Sequence, residues 1–189
     1  MGNMVEVMID SIRVSLISQQ RIVILREIDT ERYLAIWIGI YEADAIQIAL
    51  QDVEIARPLT WDLLRNVMVD LGAHVVRVEV VALRDDTFYG NIVLETDGRL
   101  INIDSRPSDA LALAVRARVP IMVSRAVMDT AGITPEEDLQ AKAANAAASG
   151  EAPSEERLSV FEDFLESLDI GSESAPDTGD DDDLPPSER

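Results

Sequence analysis

Two carboxylates, a guanidinium and a hydroxyl lie within six residues near the middle of the chain, in the segment INIDSRPSDALALAV (101–115). Asp104 ends a strand-like apolar run, and Asp109 opens a run with helical spacing. Carboxylate oxygens are the ligands that Mg²⁺ and Mn²⁺ prefer, and a metal held this way activates water against phosphodiesters. Arg106 would counter the charge that develops on the phosphate. The segment is therefore a candidate hydrolytic site.

The same residue types also build an ordinary junction between a strand and a helix. Ser105 or Ser108 would cap the helix, and Pro107 would occupy its first turn. Arg106 would pair with a nearby acid, while Asp109 would gain ~0.3–1 kcal/mol from the helix dipole. Residue chemistry alone leaves the catalytic and the structural interpretation open.

Other kinds of catalytic site are excluded by composition. The chain has no cysteine and a single histidine, so it has no thiolate zinc site and no histidine pair. It contains neither a Walker A loop nor a G-x-G-x-x-G fingerprint. A Ser-His-Asp triad would need His74, which has no nucleophile-elbow context. Carboxylates and arginine remain, and the candidate acids are Glu42, Asp44, Asp62, Asp104 and Asp109.

The net charge of −20 is unevenly distributed. Residues 1–135 carry 19 acidic and 13 basic side chains, a net charge of −6, and residues 136–189 carry 17 acidic and 3 basic, a net charge of −14. Such a chain gains no general attraction to nucleic acid, so any binding of nucleic acid must be weak and come from a local patch. The chain shows no signal peptide and no membrane-length apolar run, which predicts a cytoplasmic protein.

Hydrophobic periodicity predicts an α+β fold with a mixed or antiparallel sheet and three main helices in one compact domain, residues 4–133. The strands are expected in 5–16, 21–28, 32–40, 74–83, 87–96, 99–104 and 120–124, and the helices in 42–55, 60–72 and 107–118. A slip in the alternation at Asp10-Ser11 predicts a β-bulge. Asp85-Asp86 and Asp97-Gly98 predict hairpin turns. Thr60 is the expected N-cap of the second helix, and Gly72 suits its left-handed end.

The remaining residues differ in composition. We expect an alanine-rich helical linker over 134–150, an amphipathic helix over 151–170 and a disordered acidic tail over 171–189. The amphipathic segment places an apolar stripe on one face, so it should dock on the domain or bind a partner. The tail either solubilises the protein or competes with nucleic acid for the arginine residues.

A weak internal repeat links two of these junctions. EADAIQIAL (42–50) and PSDALALAV (107–115) share an Asp-Ala pair followed by the same apolar pattern, and each follows a strand that begins with arginine. The repeat aligns Asp44 with Asp109. Common ancestry of the two halves is a hypothesis that superposition of the two segments would test.

Four segments together resemble the bifunctional nuclease domain family. They are LAIWIGIYEADAIQIAL, RPLTWDLL, LGAHVVRVEVVALRDDTFYGNIVL and IDSRPSDALALAVRARVPIMVS, and their order and spacing match across residues 4–130. The resemblance implies an α+β domain that acts on both DNA and RNA.

The resemblance also implies a set of site residues. The expected catalytic residues are Asp104, Asp109, Arg106 and Asp62; the expected substrate-binding residues are Arg57, Arg106, Ser108 and Trp61; and the expected metal ligands are Asp104, Asp109 and Glu42, for Mg²⁺ or Mn²⁺. The family usually has histidine where this chain has Trp61. An indole cannot exchange protons near neutral pH, so that acid–base group would be lost, although the ring could stack a base.

Two functions follow from these expectations. The first is a metal-dependent nuclease that hydrolyses phosphodiester bonds in DNA and RNA with little sequence preference and uses no organic cofactor. The second is a non-catalytic binding or regulatory module of the same fold. In either case we expect a homo-oligomer, a dimer or a trimer, with no membrane partner.

Overall fold

The computed structural model describes residues 4–15 and 20–134. These residues form seven strands and four helices. The strands are β1 (Met4–Val14), β2 (Arg21–Glu27), β3 (Tyr33–Ile38), β4 (Ala73–Arg84), β5 (Thr87–Thr96), β6 (Arg99–Ser105) and β7 (Ile121–Ser124). The helices are α1 (Ile40–Leu50), α2 (Thr60–Asp70), α3 (Pro107–Ala117) and α4 (Arg125–Ala131).

All seven strands belong to one sheet, in the order β3-β2-β1-β7-β4-β5-β6. Every pairing is antiparallel except β4 with β7, so the sheet is mixed and the expected α+β fold is confirmed. The register of β1 against β2 shifts between Ile9 and Ser11, which confirms the bulge. Insertion of β7 between β1 and β4 joins the two antiparallel halves of the sheet, and local pattern gave no sign of this long-range pairing.

The two predicted hairpin turns connect β4, β5 and β6. Asp85, Asp86, Asp97 and Gly98 all have positive φ, between 47° and 69°. Two successive residues in the left-handed region match the right-handed twist of a hairpin, and aspartate and glycine tolerate that region best. These turns therefore set the register of the three strands.

The helices cover one face of the sheet. Alternate residues of the strands share one hydrophobic core there with residues of α1, α3 and α4, among them Leu25, Leu34, Val80 and Val123, all fully or almost fully buried. Helix α3 lies between α1 and α2 and is buried from Ala110 through Ala114. Its alanine-rich sequence allows this close packing on several sides.

The end of α1 and the N-cap of α2 differ from the predictions. Helix α1 ends at Leu50 because Asp52 adopts a φ of 48°. The N-cap of α2 is Leu59 rather than Thr60, and its N–H donates to Asp62 Oδ2 at 2.9 Å. The Asp62 carboxylate at the third helical position thus accepts from the N-cap N–H, which is the reciprocal half of a capping box. The expected cap, a hydroxyl that accepts from an N–H of the first turn, is not formed at the N-cap Leu59. Gly72, with a φ of 74°, is confirmed in the left-handed region after α2.

Neither serine caps α3. The N-cap is Arg106, with extended backbone and no capping side chain, and Pro107 is the first helical residue as expected. Because proline has no N–H, the first turn has fewer donors to satisfy. Helix α4 was not predicted, since seven residues directly after a strand give little helical period; Val127 and Met128 are its buried residues.

The linker, the amphipathic helix and the acidic tail expected from residue 135 onward lie outside the described residues, so these predictions stay untested. Within the described ranges, no helix is long and apolar enough to cross a membrane.

Gly90 allows the junction between β6 and α3 to approach β5. A Cβ on Gly90 would stand 2.9 Å from both the Pro107 nitrogen and the Ser105 carbonyl oxygen, which are backbone atoms and cannot move independently. Beside it, the Ser105 hydroxyl is buried, and it has no hydrogen-bond partner among the described residues. The junction is thus held by close backbone packing rather than by side-chain capping.

We expect Gly90→Ala to lower the free energy of unfolding by about 1–3 kcal/mol, because the added methyl group forces the junction away from β5. Ser105→Ala is the matched control at the same junction. It removes an unpartnered buried hydroxyl, so the free energy of unfolding should stay within about 0.5 kcal/mol or rise. Denaturant unfolding of both variants measures the difference, and equal losses would contradict the backbone contact.

Candidate active site

Arg106 joins the first turns of α1 and α3. Its Nη2 donates to Glu42 Oε1 at 2.6 Å and to Asp109 Oδ1 at 3.1 Å, and its Nε donates to Asp109 Oδ2 at 2.7 Å. The Arg106 side chain is 65% exposed, whereas those of Glu42 and Asp109 are 13% and 28% exposed. The two acids therefore fix one edge of the guanidinium and leave the Nη1 edge facing outward.

Glu42 and Asp109 occupy the same position in their helices, the third residue of the first turn. The sequence repeat had instead aligned Asp44 with Asp109, two residues out of phase with this structural match. Gly39, the N-cap of α1, makes room for the arrangement, since a Cβ there would collide with the Glu42 carboxylate. The two strand-to-helix junctions therefore place an acid at equivalent positions, and Arg106 from the β6–α3 junction binds both acids.

The two carboxylates raise the pKa of Arg106 above its ordinary value, through the hydrogen bond with Asp109 first and that with Glu42 second. The folded-state pKa is raised, so the stabilisation is fully present below the ordinary arginine pKa and is lost only as the pH rises above it. Arg106 therefore keeps its charge throughout the neutral range, and it cannot act there as a proton donor.

A cavity of about 420 Å³ adjoins Arg106. Residues of β3 line one side of it, and residues of the β4–β5 hairpin and the start of α3 line the other. These strands are far apart in the sheet order, so the sheet must curl to bring them together. Phe88, Ser108 and the half-exposed Trp37 are among the lining residues. Sequence reasoning missed Trp37, whose only signal was a large aromatic residue in a mostly aliphatic strand.

Asp104 does not join this group. It pairs with Asn91 in the register of β5 and β6, one residue out of phase with Ile92 and Ile103. Because Ile92 belongs to the core under the helices, alternation directs Asp104 to the opposite face of the sheet. Its row there is polar, since Asn91 donates to Glu79 and to Asn102. The Asp104 side chain makes no hydrogen bond or ion pair with another described residue.

The predicted metal ligands therefore do not fit a common site in this arrangement. Glu42 and Asp109 converge, but on the Arg106 guanidinium, and Asp104 lies on the other face of the sheet. Within residues 4–15 and 20–134, no three acidic or histidine side chains are close enough together to hold a metal ion. A cation between the two converging acids would have to replace the guanidinium.

Asp62 and Trp61 lie in a separate cluster around Arg116, a side chain only 5% exposed. Arg116 Nε donates to Asp62 Oδ1 at 3.0 Å, and its Cζ lies 5.8 Å from the centroid of the Trp61 ring. With Asp62 Oδ2 bonded to the Leu59 N–H, both of its oxygens are engaged. These contacts stabilise the packing of α2 on α3, and the expected roles of Asp62 and Trp61 in catalysis and binding stay predictions.

The last predicted residues are spread over separate cavities. Ser108 is buried in the first turn of α3 beside Arg106. Arg57 lines a separate groove after α1, and His74 lines a small cavity with Arg116, so neither is among the described residues that line the 420 Å³ cavity beside Arg106. Of the predicted site residues, the structure brings together Glu42, Arg106, Ser108 and Asp109.

We expect a double-mutant cycle of Arg106→Gln and Glu42→Gln to give a coupling energy of about 0.2–1 kcal/mol, because the guanidinium is largely exposed. Arg106→Lys should not restore it, since an ammonium cannot reproduce the fork of hydrogen bonds. Arg118→Gln with Asp52→Asn is the matched control at the other end of the same helices. That pair is 3.5 Å apart and more than 80% exposed on both sides, so its coupling should be close to zero. Equal coupling energies for the two pairs, measured by denaturant unfolding, would contradict the arrangement in which Glu42 and Asp109 hold the Arg106 guanidinium.

Comparison with known proteins identifies the class of this domain. The model of the bifunctional nuclease domain matches residues 23–136, more than half of the chain. The chain therefore belongs to the bifunctional nuclease domain family, and the resemblance seen in the sequence is confirmed.

Similar proteins fall into two groups. An uncharacterized protein of Mycobacterium tuberculosis is 38% identical over 163 residues, 86% of this chain and 94% of its own length. Bifunctional nuclease 2 of Oryza sativa subsp. japonica is 30% identical over 118 residues, 61% of this chain and 36% of the plant protein. Bifunctional nuclease 2 of Arabidopsis thaliana is 31% identical over 80 residues, 41% of this chain and 24% of its own. The chain thus matches about a third or less of the plant proteins that carry the nuclease name.

Proposed function

We propose that this domain binds nucleic acid and hydrolyses its phosphodiester bonds at the Arg106 junction. The observation that carries the proposal is the guanidinium itself, fixed by Glu42 and Asp109 on one edge and exposed on the other beside a cavity. Membership of the bifunctional nuclease domain family supports it, as do the names of the plant relatives.

The chemistry follows from what this guanidinium can contact. The Nη1 group of Arg106 makes no hydrogen bond with the described residues, so its two N–H groups can bind phosphate oxygens as negative charge develops on them. Trp37 at the cavity offers a surface on which a base can stack. These contacts involve the phosphate backbone and the flat faces of the bases, which all nucleic acids share. They therefore account for action on DNA and RNA with little sequence preference.

Attack on phosphorus also requires a base to take a proton from water. Asp109 is 28% exposed, and each of its oxygens accepts a hydrogen bond from Arg106, so a remaining lone pair takes this proton. The proton passes to the leaving sugar oxygen as the bond between that oxygen and phosphorus breaks. We derive no step through a divalent cation, because the predicted ligands do not converge. Dependence on Mg²⁺ or Mn²⁺ stays a prediction from the resemblance.

We expect Arg106→Gln to lower the rate of cleavage of labelled single-stranded RNA and DNA by about 10²–10³-fold, the usual loss when a group that stabilises the transition state is removed. Arg125→Gln, an exposed arginine on α4, is the control and should leave the rate unchanged. A purified full-length Arg106→Gln variant that cleaves as fast as the wild type would contradict the assignment. A parallel reaction in EDTA tests the metal: lost cleavage that returns with Mg²⁺ or Mn²⁺ would support it, and unchanged cleavage would exclude it.

A second candidate function is a non-catalytic oligomeric binding module. Helix α2 favours it, because none of its residues is buried although the helix is amphipathic. Leu63, Val67 and Leu71 are exposed along one side of α2, and β6 is an edge strand that no other described strand pairs on its outer side, with Leu100 and Ile101 exposed. An unpartnered apolar stripe and a free strand edge are typical of surfaces that associate. We propose a second copy of the chain as the occupant.

Light scattering of the full-length protein should then show a dimer or trimer, and Leu63→Glu with Val67→Glu should shift the mass toward the monomer, because two charges would be buried in the interface. Tyr41→Glu, at a more exposed position on α1, is the control and should leave the mass unchanged. A monomeric wild-type protein would contradict self-association, and so would an oligomer that both sets of substitutions leave intact.

A further inference from the structure

A second groove, of about 700 Å³, lies at the end of the helix pair away from Arg106. The loop after α1, the start of α2 and the end of α3 form its walls. Four arginines line it, Arg57, Arg65, Arg116 and Arg118, together with three acids, Asp52, Glu54 and Asp62. In a chain with a net charge of −20, this is a local excess of positive charge.

The pairing inside the groove makes this excess available to a ligand. Asp62 is committed to the buried Arg116. Arg65 donates from Nη1 to the Arg116 carbonyl oxygen at 3.1 Å, which positions its guanidinium without neutralising it. Arg57 makes no hydrogen bond or ion pair with another described residue. Asp52 approaches Arg118, and Glu54 makes no ion pair with a described residue. Two cationic groups and one carboxylate therefore line the groove without an ion-pair partner among the described residues, which leaves a net positive charge.

Apolar side chains border the same groove. Val53 and Ile55 are exposed in the loop after α1, and Pro58 follows them. The arginines without a carboxylate partner among the described residues can bind phosphate oxygens. The exposed aliphatic residues beside them can contact a flat apolar ring. A nucleotide has both of these parts.

The groove and the Arg106 junction are separated by the length of two parallel helices. Arg106 contacts Glu42 at their first turns, and Arg118 approaches Asp52 just beyond their last turns. Each helix has 11 residues, so the two places lie about 16 Å apart. A ligand in the groove would not occupy the position beside Arg106.

We propose that this groove binds the phosphates and bases of a single nucleic-acid strand and anchors it while another part of the strand lies at Arg106. The inference rests on the proposed nuclease function and adds to it a binding site that is separate from the reacting phosphate. Arg57 and Arg65 contact phosphate oxygens, Arg116 holds the wall of the groove, and the apolar loop contacts a base.

The test uses full-length protein and labelled single strands of about 12 nucleotides, within the site sizes of grooves that follow a strand. Arg57→Gln with Arg65→Gln should raise Kd and KM about tenfold or more while kcat stays unchanged. The slope of log Kd against log salt should fall by about 1.4, since each phosphate contact on a single strand contributes about 0.7. Arg99→Gln with Arg125→Gln removes the same charge outside the groove and is the matched control.

Arg65 also supports the end of α3, so Arg57→Gln alone is the second variant, with an expected fall in slope of about 0.7. Arg106→Gln should lose cleavage but keep most of its affinity. Inorganic polyphosphate is a separate probe of the ligand class, and it should bind more weakly than the strand because it has no bases.

Four outcomes would overturn the proposal. Groove variants that match the control pair in Kd and salt slope would overturn the groove and leave cleavage at Arg106 standing. Groove variants that lose cleavage only in kcat, with Kd and KM unchanged, would also overturn the groove and leave cleavage at Arg106 standing. Polyphosphate that binds as tightly as the strand would overturn the nucleic-acid ligand. A wild-type protein that neither binds nor cleaves strands would overturn this inference and the proposed function together.

Discussion

The ion triad of Glu42, Arg106 and Asp109 is the constraint on which the arrangement of this domain depends. Helices α1 and α3 run parallel, so their N-termini, each equivalent to about +0.5 charge, lie side by side. Adding a guanidinium there would be unfavourable without compensation. One carboxylate from the first turn of each helix balances the guanidinium and both helix ends. The triad thus permits a packing that would otherwise place like charges together, and it leaves a rigid cation at the surface.

Local features of the fold could be predicted because their causes are local. The β-bulge at Ser11 and the aspartates of the two hairpin turns follow from alternation and from tolerance of positive φ. The position of β7 could not be predicted this way, because its four residues pair with strands far away in sequence. The capping of α2 could be predicted only in part. The sequence contained the right polar residues near α2, but the helix begins one residue earlier than a Thr60 cap requires, so Leu59 is the N-cap and Asp62 accepts from its N–H.

The candidate site shows the same division. Arg106 and Asp109 are three residues apart, so their pairing could be expected, whereas Glu42 is 64 positions away and its pairing with Arg106 left no signal in the sequence. Asp104 illustrates the opposite error. Asp104 is only two positions before Arg106 in the sequence. Strand alternation nevertheless directs its side chain to the other face of the sheet. Proximity along the chain is therefore a poor guide at a junction where a period of two becomes a period of 3.6.

The pairing of individual charges predicts where this protein can bind an anion better than its net charge does. Among the described residues, acids outnumber arginines, but three acids in the first turns of the helices are committed to a specific partner: Glu42 and Asp109 to Arg106, and Asp62 to Arg116. Such commitments leave the outer edge of Arg106 at one end of the helix pair, and Arg57 and Arg65 at the other, without a carboxylate partner. A phosphate chain approaching from solvent interacts with these uncompensated groups more strongly than with the average charge, because a neutral ion pair has little field beyond a Debye length of about 8 Å. The same pairing that stabilises the fold therefore determines where an acidic protein can hold an anion.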